Sequence, residues 1–138
     1  MTIINTPARS YEERVAAALD FDSDFATLFA CSCDEDERIR ALMTLNPAPR
    51  LAPNTLLGLL AVLTTDKSVM VRKTIATNPM ISGGILHLLR DDVALSVRLR
   101  VAGNPSTFLG DLEGYYEDVN ELAPIRIAAF KNFEARLV

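Results

Sequence analysis

The chain has 138 residues, 49% hydrophobic and 23% charged, a composition near that of an ordinary globular protein and a length sufficient for one core. Its net charge of −4 argues against a general nucleic-acid binder, which draws most of its non-specific affinity from a basic excess, although one basic face can lie within that balance. No stretch reaches the roughly 18 apolar residues that span a bilayer, and the only two cysteines, Cys31 and Cys33, make no disulfide framework, so a reducing cytoplasm is expected.

Residues 1–9 read as a loose lead-in, without the basic region and apolar core of a signal peptide. Ser10-Tyr-Glu-Glu13 has the form of a capping box and predicts a helix over 11–19. The segment Asp20-Phe-Asp-Ser-Asp24 interrupts it, and Ser23 or Asp24 can cap a second helix through Phe25, Leu28 and Phe29. A third helix is expected over about 35–45, with Ile39 and Met43 on one face and Leu42 and Leu45 widening it. Asn46-Pro47 stops it, because proline disfavours the helical region for the preceding residue. The proline-rich stretch 47–54 follows, with Asn54 as the expected cap of a helix over 55–63. Further helices are expected over 68–77, 83–90, 95–103, 107–116 and 124–136. No segment alternates β-branched and polar residues for long, so no sheet is expected.

One pattern runs through these elements. Arg40, Arg72, Arg98 and Arg126 each stand six residues before an asparagine: Asn46, Asn78, Asn104 and Asn132. In the first three copies proline follows the asparagine, and Asp34, Asp66 and Asp92 stand six residues before the arginine. The base period is 26 residues, with six extra between Asn46 and Asp66 and two extra after Asp118. Arg14 and Asp20 form a worn earlier copy. A unit this short cannot bury its apolar face alone and must stack on its neighbours. The expectation is one all-α helical-repeat domain over 1–138, about five repeats with worn ends: a degenerate cap repeat at 10–33, clear repeats at 34–122 and a C-terminal cap helix at 123–138.

The copies Asp66…Val71-Arg72-Lys-Thr-Ile75-Ala76-Thr-Asn78-Pro79 and Asp92…Val97-Arg98-Leu-Arg-Val101-Ala102-Gly-Asn104-Pro105 resemble the variant leucine-rich repeat, most closely over about 34–113. The resemblance implies a right-handed solenoid of alternating α and short 3₁₀ helices, in the style of HEAT arrays. A similar founding member of that family carries a cysteine-ligated iron–sulfur cluster. With two cysteines against the four thiolates such a cluster usually needs, this chain does not inherit that part.

No cofactor, metal or catalytic residue is nominated. Cys31-Ser-Cys33 lacks zinc-ligand spacing. His87 reads as a partly exposed surface residue, and the acidic clusters read as helix-start and solubility features. The arginine and asparagine ladders read as structural, the arginine stems lying along the stack and their heads pairing with acids or turn carbonyls. Function is expected where the copies differ: the insertion at 47–54, Lys73, Arg100 and the tyrosines at 115–116; of these, Lys73, Arg100, Tyr115 and Tyr116 form the candidate recognition face. The expected role is a non-enzymatic protein-binding or scaffold module whose partner is another protein. Alternatives are a subunit or small inhibitor of a larger complex and, disfavoured by acidity and the lack of tryptophan, a HEAT-like nucleic-acid binder. The mean hydropathy of +0.17 permits self-association.

Overall fold

The computed structural model describes residues 8–137. The expected lead-in and the reading of the N-terminus as lacking a signal peptide therefore lie, for residues 1–7, outside the described residues. Among the described residues the protein is all-α, with nine helices and no strand: α1 Tyr11–Leu19, α2 Phe25–Ser32, α3 Glu37–Met43, α4 Pro53–Leu63, α5 Val69–Thr77, α6 Gly83–Leu88, α7 Leu95–Gly103, α8 Leu109–Glu117 and α9 Ala123–Ala135.

Local chemistry sets most of these boundaries. Ser10 and Glu13 form a reciprocal capping box at the start of α1. Asp24 caps α2, because the Ser23 hydroxyl is turned inward and donates to the Ala17 carbonyl at 2.7 Å. Asp36, Ser68 and Ser82 cap α3, α5 and α6. Helix α4 begins differently from the expectation. Pro53 occupies the first turn after the extended Ala52, so Asn54 sits inside the helix and is not its cap. Helices α5 and α7 end on Asn78 and Asn104, both extended, the conformation a following proline favours.

The segments between the arginine-bearing helices are α-helical, not 3₁₀: α4, α6 and α8 have 11, 6 and 9 residues. Six residues already allow more than one full α-helical turn closed by i→i−4 bonds, whose geometry is better than that of a longer 3₁₀ run.

Helices α1, α3, α5, α7 and α9 pack each on the next, and α2, α4 and α6 do so more sparsely. The buried pairs Ile39/Met43, Val71/Ile75, Val97/Val101 and Ile125/Ala129 lie four residues apart, so each helix turns one stripe to the core. Burying each of the larger side chains contributes about 1.5–3 kcal/mol. Leu45 does not widen that stripe. Helix α3 stops at Met43, and Leu45 in the following turn is 44% exposed.

Candidate functional site

The repeated arginines brace consecutive helices. Arg40 donates to the Asp66 carboxylate at 2.8 and 3.1 Å, Arg72 to Asp92 at 2.8 and 3.2 Å, and Arg98 to Glu121 at 3.0 and 3.2 Å. Each also donates to the carbonyl six residues earlier, at 2.7–2.8 Å. Arg14 pairs with Asp34 at 3.0 Å. Burial of Asp66 disfavours its charge, but the Arg40 guanidinium and the Ser68 amide outweigh burial and hold its carboxyl below the usual range. Arg126 has no acid ahead of it and donates instead to the Tyr116 carbonyl at 3.2 and 3.0 Å.

The asparagines tie turn to turn. Asn46 Nδ2 donates to the carbonyls of Ala18 and Asp20, Asn104 Nδ2 to those of Ala76 and Asn78, and Asn132 Nδ2 to those of Ala102 and Asn104, all at 2.8–3.0 Å. Asn78 breaks the series. Its Oδ1 accepts from the Met80 amide at 3.0 Å, but among the described residues its Nδ2 has no bond to the Thr44 or Asn46 carbonyls, the counterparts one turn back. The six extra residues fall between those turns.

That interruption coincides with an apolar hollow on the surface. A cleft of about 570 Å³ opens there, walled by Leu45, Leu56, Leu57, Leu60 and Met80, with Asn46 and Asn78 at its polar edge. Pro47 and Pro53, at the two ends of the insertion, also line it. The chain between them is held by Ala48, which sits at φ 44 and donates its amide to Asn46 Oδ1 at 2.8 Å. A second groove of about 530 Å³ adjoins the cleft, shares Leu45 and Asn78 with it, and adds Met70, Lys73 and Arg100. Lys73 and Arg100 are thus brought together, from α5 and α7, and neither forms an ion pair among the described residues. Neither hollow has an aspartate or glutamate in its wall, in a chain that carries 18 of them.

The tyrosines do not join this face. Tyr115 is only 4% exposed, and its hydroxyl donates to the Arg90 carbonyl at 2.6 Å. It is a core residue, turned inward by the same stripe as Leu112, and burial pushes its phenol well above the ordinary value. Tyr116 is half-buried at the far end, edge-on to Phe130 and Phe133 at 5.5 and 5.4 Å.

One cluster escaped the sequence reading. Asp111, 4% exposed on α8, accepts from Arg90 at 3.2 Å and lies 2.9 Å from His87 Nδ1. An acid in the first turn of a helix ordinarily stabilises the dipole, which hides this second role. The cluster pins α6 to α8. Cys31 is buried, which raises its thiol pKa and keeps it from thiolate chemistry, while Cys33 is exposed; both are free. Among the described residues no group of three or more metal-ligating side chains gathers, and no helix is long and apolar enough to cross a membrane.

Comparison with protein-family models, with curated proteins and with solved structures finds no match to this chain.

Proposed function

We propose that the chain is a right-handed helical-repeat solenoid of the variant leucine-rich repeat type, and that it is a non-enzymatic protein-binding module whose contact surface is the paired groove and cleft between α3 and α7. The observation that carries this reading is the conjunction of an exposed apolar cleft with two unpaired cations and no acid. Specific interfaces are built in this way, with apolar anchoring at the centre and charge at the rim setting partner choice. The 26-residue recurrence of Asp, Arg and Asn, with cross-braces between successive copies, supports the solenoid.

The test is quantitative capture from native extract on the immobilised chain and on a Lys73→Glu/Arg100→Glu variant. The wild type retains a defined protein, and the variant retains at least fivefold less of it with an unchanged thermal melt. Equal retention by both rejects the groove as the contact surface.

A second reading, a subunit of a larger assembly, is favoured by α9. Besides the buried Ile125 and Ala129, this end helix exposes Ile127 and Phe130, and Leu122 and Leu137 flank it exposed. End units of stacked arrays ordinarily turn a polar face outward. Native mass measurement decides this reading: a stable complex that dissociates on Ile127→Ser/Phe130→Ser supports it, and a monomer at micromolar concentration rejects it.

A further inference from the structure

We infer that the groove and cleft receive a short peptide segment of the partner, one that sets acidic side chains beside a bulky apolar anchor. The inference rests on the binding-module reading above and narrows it to one kind of ligand. Three features of the site converge on that occupant.

The first is the missing rung. At the other three asparagines the amide hydrogens and the carbonyls of the preceding turn satisfy one another. At Asn78 they do not, and Thr44, Asn46 and Asn78 all line the cleft. A purely apolar occupant would seal these polar groups from water without partners, which is costly. A peptide backbone supplies both a carbonyl for the Asn78 amide and an N–H for the turn carbonyls.

The second is the wall. Leu45 is 44% and Met80 88% exposed, and with Leu56, Leu57 and Leu60 they form a hollow suited to one large apolar side chain. Methionine at the mouth can re-pack around aliphatic or aromatic anchors alike.

The third is charge. Lys73 and Arg100 are the only ionisable groups in the two walls, within a protein of net charge −4. A field of one sign there selects acidic side chains and repels basic ones. Nucleic acid fits less well. It draws on many phosphate contacts and on aromatic stacking platforms, whereas these walls hold two cations and no aromatic ring. Adjacent packed helices stand about 8–10 Å apart. From α7 across α5 to the cleft beside α3 is therefore roughly 16–20 Å, the span of about five or six extended residues.

The experiment selects a phage-displayed library of random 12-residue peptides on the full chain, then titrates the enriched peptides by fluorescence anisotropy. Enriched sequences are expected to carry two or more Asp or Glu within six residues of a Leu, Phe or Trp. Lys73→Glu/Arg100→Glu is expected to weaken them at least about tenfold and Lys73→Gln/Arg100→Gln about threefold or more. Met80→Ser, at an exposed position that folding tolerates, should weaken them severalfold. Thermal melts check that each variant is folded. The inference is overturned if selection enriches no peptide, if enriched peptides show no acidic excess, if the charge variants bind equally well, or if a 20-nucleotide single-stranded DNA binds more tightly with the same sensitivity to Lys73 and Arg100. If a captured protein is lost on charge reversal but no acidic peptide competes for it, the peptide inference falls and the binding-module reading stands. If charge reversal alters neither, both fall.

Discussion

Arg40 and Arg126 occupy the same place in the sequence pattern but do different physical work. Arg40 is almost fully enclosed and clamps a carboxylate that is itself nearly buried. Removing it strands Asp66, so Arg40→Ala should cost about 3 kcal/mol of unfolding free energy in a urea melt. Arg126 gives up only bonds to one backbone carbonyl, so Arg126→Ala should cost about 1 kcal/mol. Equal losses would mean that the ion pair is not what braces α3 to its neighbour. The same pair sets an acid dependence. Because the Asp66 carboxyl is held below its ordinary 3.8 in the folded state, its stabilisation is fully present above that value and is lost as pH falls through the lower, folded one. Asp66→Asn keeps a side-chain acceptor for the Ser68 amide but cannot ionise. Its stability should fall less steeply than that of the wild type below about pH 4, and parallel slopes would rule out the linkage. At this level the sequence is informative about types of residue and weak about direction. Tyr115 and Tyr116 are adjacent and identical, yet about 100° apart on a helix, so one enters the core and one does not. Only the register of Leu112 and Tyr115 against α9 and the Arg90 carbonyl decides which. Asp111 was hidden for a related reason, since its partners His87 and Arg90 lie 24 and 21 residues away.

Two helices, α1 and α7, could be read from the chain to the residue. The capping box before α1 and the Asn104-Pro105 stop after α7 gave 11–19 and 95–103, the observed bounds. Where two local signals compete, the reading failed: Pro53 and Asn54 are both start residues, and the proline, whose φ is already helical, took the first turn. The helical glycines carry a prediction of the same kind, because their cost depends on surroundings that the sequence does not display. Around Gly58, inside α4, nothing lies within 4 Å of an added Cβ. Gly58→Ala should therefore stabilise the protein by about 1 kcal/mol through helix propensity alone. At Gly83 an added Cβ would meet Phe108 Cε1 at 2.5 Å and the Ser106 carbonyl oxygen at 2.8 Å. The ring can rotate but the backbone oxygen cannot, so Gly83→Ala should destabilise by about 1–3 kcal/mol as the start of α6 is pushed off the turn before α8. Thermal melts of the two variants should move in opposite directions. A gain at Gly83 would show that α6 and that turn are not tightly seated.

Across the whole molecule, net charge was visible in the sequence and its distribution was not. The acids are spent at turns and on arginines, as at Asp34, Asp66 and Asp92, and that is why a basic, acid-free groove can exist in an acidic protein. The spacing of the insertion marked where the copies differ, but the apolar cleft beside it coincides with a hydrogen bond that Asn78 does not make, and no local pattern encodes a missing bond. The cross-braces that do form reach only the neighbouring turn. If the chain is a stacked array, stability should therefore be transmitted between neighbours and fade with distance. Asn132 Nδ2 holds the Ala102 and Asn104 carbonyls, and Asn46 Nδ2 holds those of Ala18 and Asp20. Each substitution to alanine removes these two bonds together with the one its Oδ1 accepts, from Arg136 Nε at Asn132 and from the Ala48 amide at Asn46, and leaves carbonyls short of a donor, a local loss of about 1–3 kcal/mol. In amide hydrogen exchange, Asn132→Ala should speed exchange in α7, α8 and α9 and leave α1 to α3 unaltered, and Asn46→Ala should do the reverse. Uniform acceleration across all nine helices in either variant would mean that the chain opens only as a single cooperative body, and the solenoid reading would then be wrong.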